Sequence, residues 1–277
     1  MQHQRLLDDY VTYIGLSRSP ATQRLAREQL IQLFRAWEDL APADWTRTRF
    51  ERYYGAKRTA GLSPRSLGIL LTQCRGFIAW AGDRAEDLGF EVPDFCKGLR
   101  SPKVHRERPV IYTPEEIEKL LNACHTSQRP MELVVGLAFY VGMRRREIQL
   151  ADWSHVDWQN NQIQIIGSKV AKTRVLPIGA KLRNVLRAHW RNQKTGPIVQ
   201  YASFNSNVSR CLRFVCQRAE VPYRSLHKIR HSFCTTLLER GVDVVTARDC
   251  MGHLDISTTN LYSQSTPNRM KLAVDVL

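Results

Sequence analysis

Leu133-Val134-Val135-Gly136-Leu137-Ala138-Phe139-Tyr140-Val141 is nearly uniformly apolar and runs straight into Gly142-Met143-Arg144-Arg145-Arg146-Glu147. A segment apolar on every side predicts a helix buried in a core, ending near Gly142. The arginine cluster then sits at a helix end beside that core. Upstream, Thr113-Pro114-Glu115-Glu116 is a helix start, with Thr as cap, Pro in the first turn and acids at the positive end of the dipole. Downstream, Ile163, Ile165 and Ile166 follow the turn pair Asn160-Asn161, and Val175-Leu176-Pro177 forms a second short strand. A small antiparallel sheet with a basic loop over Gly167–Arg174 is the economical reading. Helical spacing returns through Leu182, Val185, Leu186 and Trp190, then over Val208–Val215, His227–Arg240, Val244–Met251 and Ser257–Tyr262.

The first hundred residues read as helices alone. Leu6, Leu7, Tyr10, Val11 and Ile14 recur at helical spacing, as do Leu25, Leu30, Phe34 and Trp37 behind a Ser19-Pro20 start. A weaker helix is predicted over Arg47–Tyr54, and a fourth after Ser63-Pro64 with Leu67, Leu70, Leu71, Cys74, Phe77 and Trp80 as its apolar stripe. From Val92 to Arg108 the texture changes to Pro, Gly and charge, a basic linker by composition. It serves either as a solvated tether or as a phosphate contact. Three parts are expected: a helical module over 1–91, a linker over 92–110 and a mostly helical domain over 111–277. The fold class is mainly α with one small antiparallel sheet.

A chain of 277 residues suits two domains, and a hydrophobic share of 43% supports real cores. A net charge of +15 favours a polyanionic partner, most simply nucleic acid. No apolar span is long enough for a bilayer, and the N-terminus does not read as a signal-peptide core, so cytoplasmic residence is the expectation. Seven cysteines are scattered without a C-x-x-C pair, which argues for reduced thiols over a disulfide or zinc framework.

Three segments carry the chemistry. Arg144 lies in the cluster quoted above. In Leu226-His227-Lys228-Ile229-Arg230-His231, His227 and Arg230 are spaced i, i+3 and share a helix face. In Met251-Gly252-His253-Leu254-Asp255-Ile256-Ser257-Thr258-Thr259-Asn260-Leu261-Tyr262, a phenol follows a histidine by nine residues. Attack on a phosphodiester needs positioned cations to neutralise the five-coordinate transition state. Arginine serves because its fork holds two oxygens and stays charged. His227 and His253 could donate to a non-bridging oxygen or take a proton. A lysine on a hairpin tip, Lys169 or Lys172, could protonate the leaving oxygen. Tyr262, with an unperturbed pKa of about 10, needs cationic neighbours to act as nucleophile. Each residue has a plainer reading: an arginine cluster that only binds phosphate, a buried aromatic at Tyr262, a metal pair at His227 and His231. The pair lacks an H-E-x-x-H setting and a third ligand, so no metal is expected.

In this order and spacing, the chain resembles a tyrosine recombinase of the phage integrase and Xer type over nearly its whole length. Gly142-Met143-Arg144-x-x-Glu147 resembles the first arginine box. Gly167-Ser168-Lys169-x-x-Lys172-x-Arg174-Val175-Leu176-Pro177 resembles the hairpin of the catalytic lysine. Leu226-His227-x-x-Arg230-His231 resembles the second box, and Met251-Gly252-His253 through Thr258-Thr259-x-x-Tyr262 the third. The resemblance implies an integrase-type DNA breaking-rejoining fold behind a four-helix SAM-like core-binding domain. It implies that Tyr262 attacks the scissile phosphate to give a 3′-phosphotyrosine, with Arg144, Arg230 and His253 on the non-bridging oxygens. Lys169 would protonate the departing 5′-oxygen, His227 would assist as acid or base, and Glu147 would order the first box. Lys172 and His231 stand beside these in support.

No metal, ATP or other cofactor is implied. The implied partners are double-stranded DNA recombination sites and a homo-tetramer on synapsed DNA, with a hetero-oligomer formed with a paralogue as the variant; nucleoid association follows. Exchange would proceed through a Holliday junction in integration, excision or resolution. The choice of Arg144 over Arg145 or Arg146, and of Lys169 over Lys172, rests on alignment. Met251 stands where Leu is more usual, and Ser263-Gln264 follows the tyrosine where His is frequent. In this family the tail over Thr266–Leu277 commonly packs into a neighbouring subunit; packing on its own domain is the alternative. Two other functions fit the same residues: a topoisomerase of the same mechanism, and an architectural DNA-binding protein whose site no longer acts.

Overall fold

In the computed structural model, residues 2–38, 40–103, 110–124, 130–167, 173–200 and 204–252 are described, apart from the side chains of Gln2, Asn205 and Ser206. The chain forms two compact units, Met1–Glu107 and Arg108–Leu277. Each is taken by itself.

The first unit is built on α1 (Gln2–Gly15), α2 (Pro20–Ala36), α3 (Arg47–Thr59) and α4 (Pro64–Gly82), with a short α5 (Ala85–Leu88) and a 3₁₀ turn at Pro42–Asp44. Three of these helices start on side-chain caps. Ser19, Thr46 and Ser63 accept from the N–H groups of Thr22, Arg49 and Ser66 at 3.3, 3.4 and 3.2 Å. The α4 stripe expected from spacing is buried throughout. The helix expected over Arg47–Tyr54 continues to Thr59, with Phe50 alone buried. Composition misleads at the start of the linker. Val92, Phe95 and Cys96 are buried in this unit's core, and the Phe95 ring lies 5.2 Å from both Trp37 and Phe50. Apolar side chains at this spacing outweigh the surrounding Pro, Gly and charge, so this stretch is packed rather than solvated.

The second unit comprises α6 (Pro114–Cys124), α7 (Met131–Tyr140), α8 (Arg145–Leu150), β1 (Val156–Asp157), β2 (Gln162–Ile165), β3 (Arg174–Pro177), α9 (Ala180–His189), α10 (Phe204–Arg218), α11 (Leu226–Glu239) and α12 (Val244–Met251). Thr113 and Glu116 cap α6 reciprocally, at 2.9 and 3.2 Å. Helix α7 is the buried axis: Met131 to Ala138 are all buried, and α6, α9 and α11 pack around it. The sheet has three antiparallel strands in the order β1-β2-β3. Ile163 pairs with Val156 on one side and Leu176 on the other, while Ile165 pairs with Arg174. Two strands are legible from the sequence; β1 adds a third. Ile166 lies outside β2 and is exposed. Asn161 takes the turn at φ 52°, a conformation Asn tolerates.

Candidate active site

Helix α7 ends in a left-handed Gly142, at φ 59°. A Cβ there would lie 2.5 Å from the Phe233 ring, so both backbone and space call for glycine. The turn delivers Arg144 to the position just before α8. Its N–H donates to Glu147 Oε2 at 2.8 Å and its Nη1 to Glu147 Oε1 at 2.9 Å. Arg230 comes from α11, where its side chain is 1% exposed. It donates to Gly142 O, donates to Met251 O at 2.5 Å, and lies 3.6 Å from Glu147 Oε2. Two expected cations from distant boxes therefore share one carboxylate.

A third arginine completes the cluster. Arg174, the first residue of β3, donates from Nη1 and Nη2 to the two Glu147 oxygens at 3.1 and 3.0 Å. Its Nε donates to Cys250 O at 2.8 Å. Arg174 stands within the hairpin motif of the sequence without an expected task of its own. The signal lay in strand alternation: Arg174 shares a face with Leu176, while Val175 and Pro177 point to solvent. A charged residue on an inward strand face requires a partner.

The end of α12 docks on these arginines. Its last carbonyls cannot be used within the helix. Cys250 O accepts from Arg174, Met251 O from Arg230, and Gly252 O from Arg144 at 3.2 Å. Gly252 closes the helix at φ 61°. The chain thus leaves for His253 from a point fixed against all three guanidinium groups, whose charge suits a helix C-terminus.

Arg144, Arg230 and His227 line one cavity of about 150 Å³, together with Met143, Arg145, Ser209, Ser225 and Leu226. Arg145 donates to Ser209 Oγ at 2.5 Å. The His227 ring is open to solvent by area yet set into this concavity. Desolvation there, followed by repulsion from Arg230, Arg144 and Lys228, holds its pKa below the ordinary histidine value. His231 lies edge-on to it, ring centres 4.3 Å apart. Burial pushes the Glu147 carboxyl upward, but the Arg174 hydrogen bonds and charge, the Arg144 N–H and the Arg230 charge outweigh it, and its pKa is lowered. Among the described residues, three guanidinium groups, Arg144, Arg174 and Arg230, gather around the Glu147 carboxylate beside the cavity. The start of α11 is held independently: Tyr112 Oη accepts the Arg224 N–H at 2.6 Å and donates to Arg224 O at 2.5 Å.

Of the expected site residues, Arg144, Glu147, His227, Arg230 and His231 come together. Lys169, Lys172, His253 and Tyr262 lie outside the described residues. Just beside the hairpin loop, the Gly167 N–H donates to Thr173 Oγ1 at 2.9 Å. Among the described residues no group of three or more His, Cys, Asp or Glu could hold a metal ion, and no helix is long and apolar enough to cross a membrane.

Residues 111–269 match the phage integrase family, and the chain belongs to that family. It is similar to the tyrosine recombinase XerA of Thermococcus kodakarensis, with 28% identity over 97% of this chain and 93% of the relative. The tyrosine recombinase XerC of Serratia marcescens is also 28% identical, over 94% of this chain and 90% of the relative. In fold, the chain resembles lambda integrase, solved as a dimer bound to a COC′ core site: TM-score 0.76, 17% identity, 94% of this chain and 77% of that one.

Proposed function

We propose that this chain is a site-specific DNA recombinase that breaks and rejoins strands through a covalent 3′-phosphotyrosine on Tyr262. The observation that carries the reading is the convergence of Arg144, Arg230 and His227 on one cavity, with Glu147 held among the guanidinium groups of Arg144, Arg174 and Arg230. Such a centre stabilises charge gathering on the non-bridging oxygens of an attacked phosphate. His227, whose imidazole is biased toward its neutral form, would assist as acid or base. Lys169 donates to the leaving 5′-oxygen, with Lys172 the alternative. His253, directly after the docked end of α12, joins the arginines on the phosphate.

The relatives are named tyrosine recombinases, and the structural neighbours include lambda integrase bound to a COC′ core site and the site-specific recombinase XerH in a post-cleavage complex with its difH substrate. By extension the partner is double-stranded DNA and the working form a tetramer on two synapsed sites, acting on the nucleoid. The helical module over 1–91 would bind DNA and the domain over 111–277 would carry the catalytic residues; of the stretch 92–110, Val92, Phe95 and Cys96 are buried in the first unit's core. The test is strand exchange between two copies of a binding site selected from the host's own DNA, in buffer containing EDTA. Recombinant products and Holliday junctions are expected. Relaxation of supercoiled plasmid without exchange would instead identify a topoisomerase.

A further inference from the structure

The recombinase reading gives tasks to Arg144 and Arg230 and none to Arg174, whose side chain is only 7% exposed and spends its whole fork inside the protein. We infer that Arg174 is a positioning residue, joining the hairpin that carries Lys169 and Lys172 to both arginine boxes and to the chain leading into His253 and Tyr262.

The geometry is particular to arginine. Nη1 and Nη2 meet the two Glu147 oxygens side by side at 3.1 and 3.0 Å, Nε reaches Cys250 O at 2.8 Å, and Nη2 also reaches Gly142 O at 3.5 Å. Those acceptors belong to α8, to the end of α12 and to the turn after α7. Arg174 itself opens β3 at the end of the basic loop, two residues past Lys172. Glu147, so held, is the carboxylate that orients Arg144. Gly252 closes over the same guanidinium: a Cβ there would sit 2.7 Å from Arg174 Nη1, on a side chain pinned by its hydrogen bonds. Lysine could keep the charge but not satisfy three separated acceptors in one plane. Arg174 touches no reacting atom in this scheme. It acts through Glu147 and through the register between hairpin and helix end, as partners behind metal ligands or catalytic groups do.

Arg174→Lys and Arg174→Met in the full chain test this with two readouts. The first, hydrogen exchange in the DNA-free protein, needs no catalysis. Exchange is expected to rise roughly tenfold or more in peptides covering Gly142–Ile148 and Arg248–Gly252, with α4 unchanged. The second is single-turnover cleavage of a nicked binding site at saturating protein. Its rate is expected to fall about 10- to 100-fold in Arg174→Lys, while DNA affinity stays within about twofold because no phosphate contact is lost. Unchanged exchange in either segment overturns the coupling whatever the cleavage rate. So does cleavage at the wild-type rate in Arg174→Lys. Loosening spread over the whole second unit in both variants marks Arg174 as a general stability residue and also overturns the proposal. The catalytic arm rests on the recombinase reading. Wild-type protein that binds the site and never cleaves it sinks that reading, and the exchange arm still decides the coupling.

Discussion

Glu147 is the residue on which the site turns. Its side chain is 3% exposed and within reach of three guanidinium groups. Replacing it with Gln leaves buried cations without their counter-charge, which costs about 3–5 kcal/mol when one partner of a buried pair is removed. Glu147→Gln is therefore expected to lower the urea midpoint of the second unit and to abolish cleavage. Stability equal to wild type would show that solvent already screens the cluster. Because the folded Glu147 pKa is lowered, its contribution is fully present above the unfolded value of about 4.3 and is lost as pH falls through the folded value. Denaturant titrations below pH 5 should show a decline that Glu147→Gln lacks. His227 shifts downward for a different reason, first desolvation and then like charge. In an NMR titration of the DNA-free protein it should titrate below about 6.5; a midpoint above that value would mean that neither burial nor the neighbouring cations act on it. At Gly142 the strain is in the backbone. Gly142→Ala must hold φ near 59° with its methyl against Phe233, and is expected to cost more than the roughly 1–2 kcal/mol of left-handed backbone alone.

At the scale of elements, the helix starts were legible because their chemistry is local. Ser19, Thr113 and Ser63 announce α2, α6 and α4 by side chains that accept the N–H groups three residues on. Ser63→Ala is expected to cost about 1 kcal/mol, read as a small fall in the melting temperature of the first unit. An undiminished transition would mean water replaces the cap. Strand β1 was not legible, since Val156-Asp157 is two residues long and exists through its pairing with Gln162-Ile163. The packing of Val92, Phe95 and Cys96 escaped for a related reason: composition describes the segment's average, whereas three spaced side chains decide its burial. The arginine boxes could be read as motifs, because order along the chain survives without a structure. Arg174 could not, because its meaning depends on β3 lying against the end of α12. The sequence offered alternation as a hint and no partner.

For the whole molecule, a charge of +15 on 277 residues and a cavity lined by Arg144, Arg145 and Arg230 make the same demand: a polyanion held by its backbone. Binding to duplex DNA should weaken linearly in log–log terms as salt rises, because condensed counterions are released. A flat response would contradict the partner inferred from charge. The scaffold brings Arg144 to one cavity with His227 and Arg230, which lie far from it in sequence, and the proposed chemistry reduces to a single bond between Tyr262 and a 3′-phosphate. That bond can be trapped. A binding site nicked just beyond the cleavage position loses its short 5′-hydroxyl strand by diffusion, so the covalent intermediate accumulates. The wild-type chain should yield an adduct stable to boiling in detergent, with the nucleotide mapped by mass spectrometry to the peptide containing Tyr262. Tyr262→Phe should bind the same DNA and yield none. An adduct that persists in Tyr262→Phe, or wild-type protein that binds the nicked site and traps nothing, contradicts the assignment.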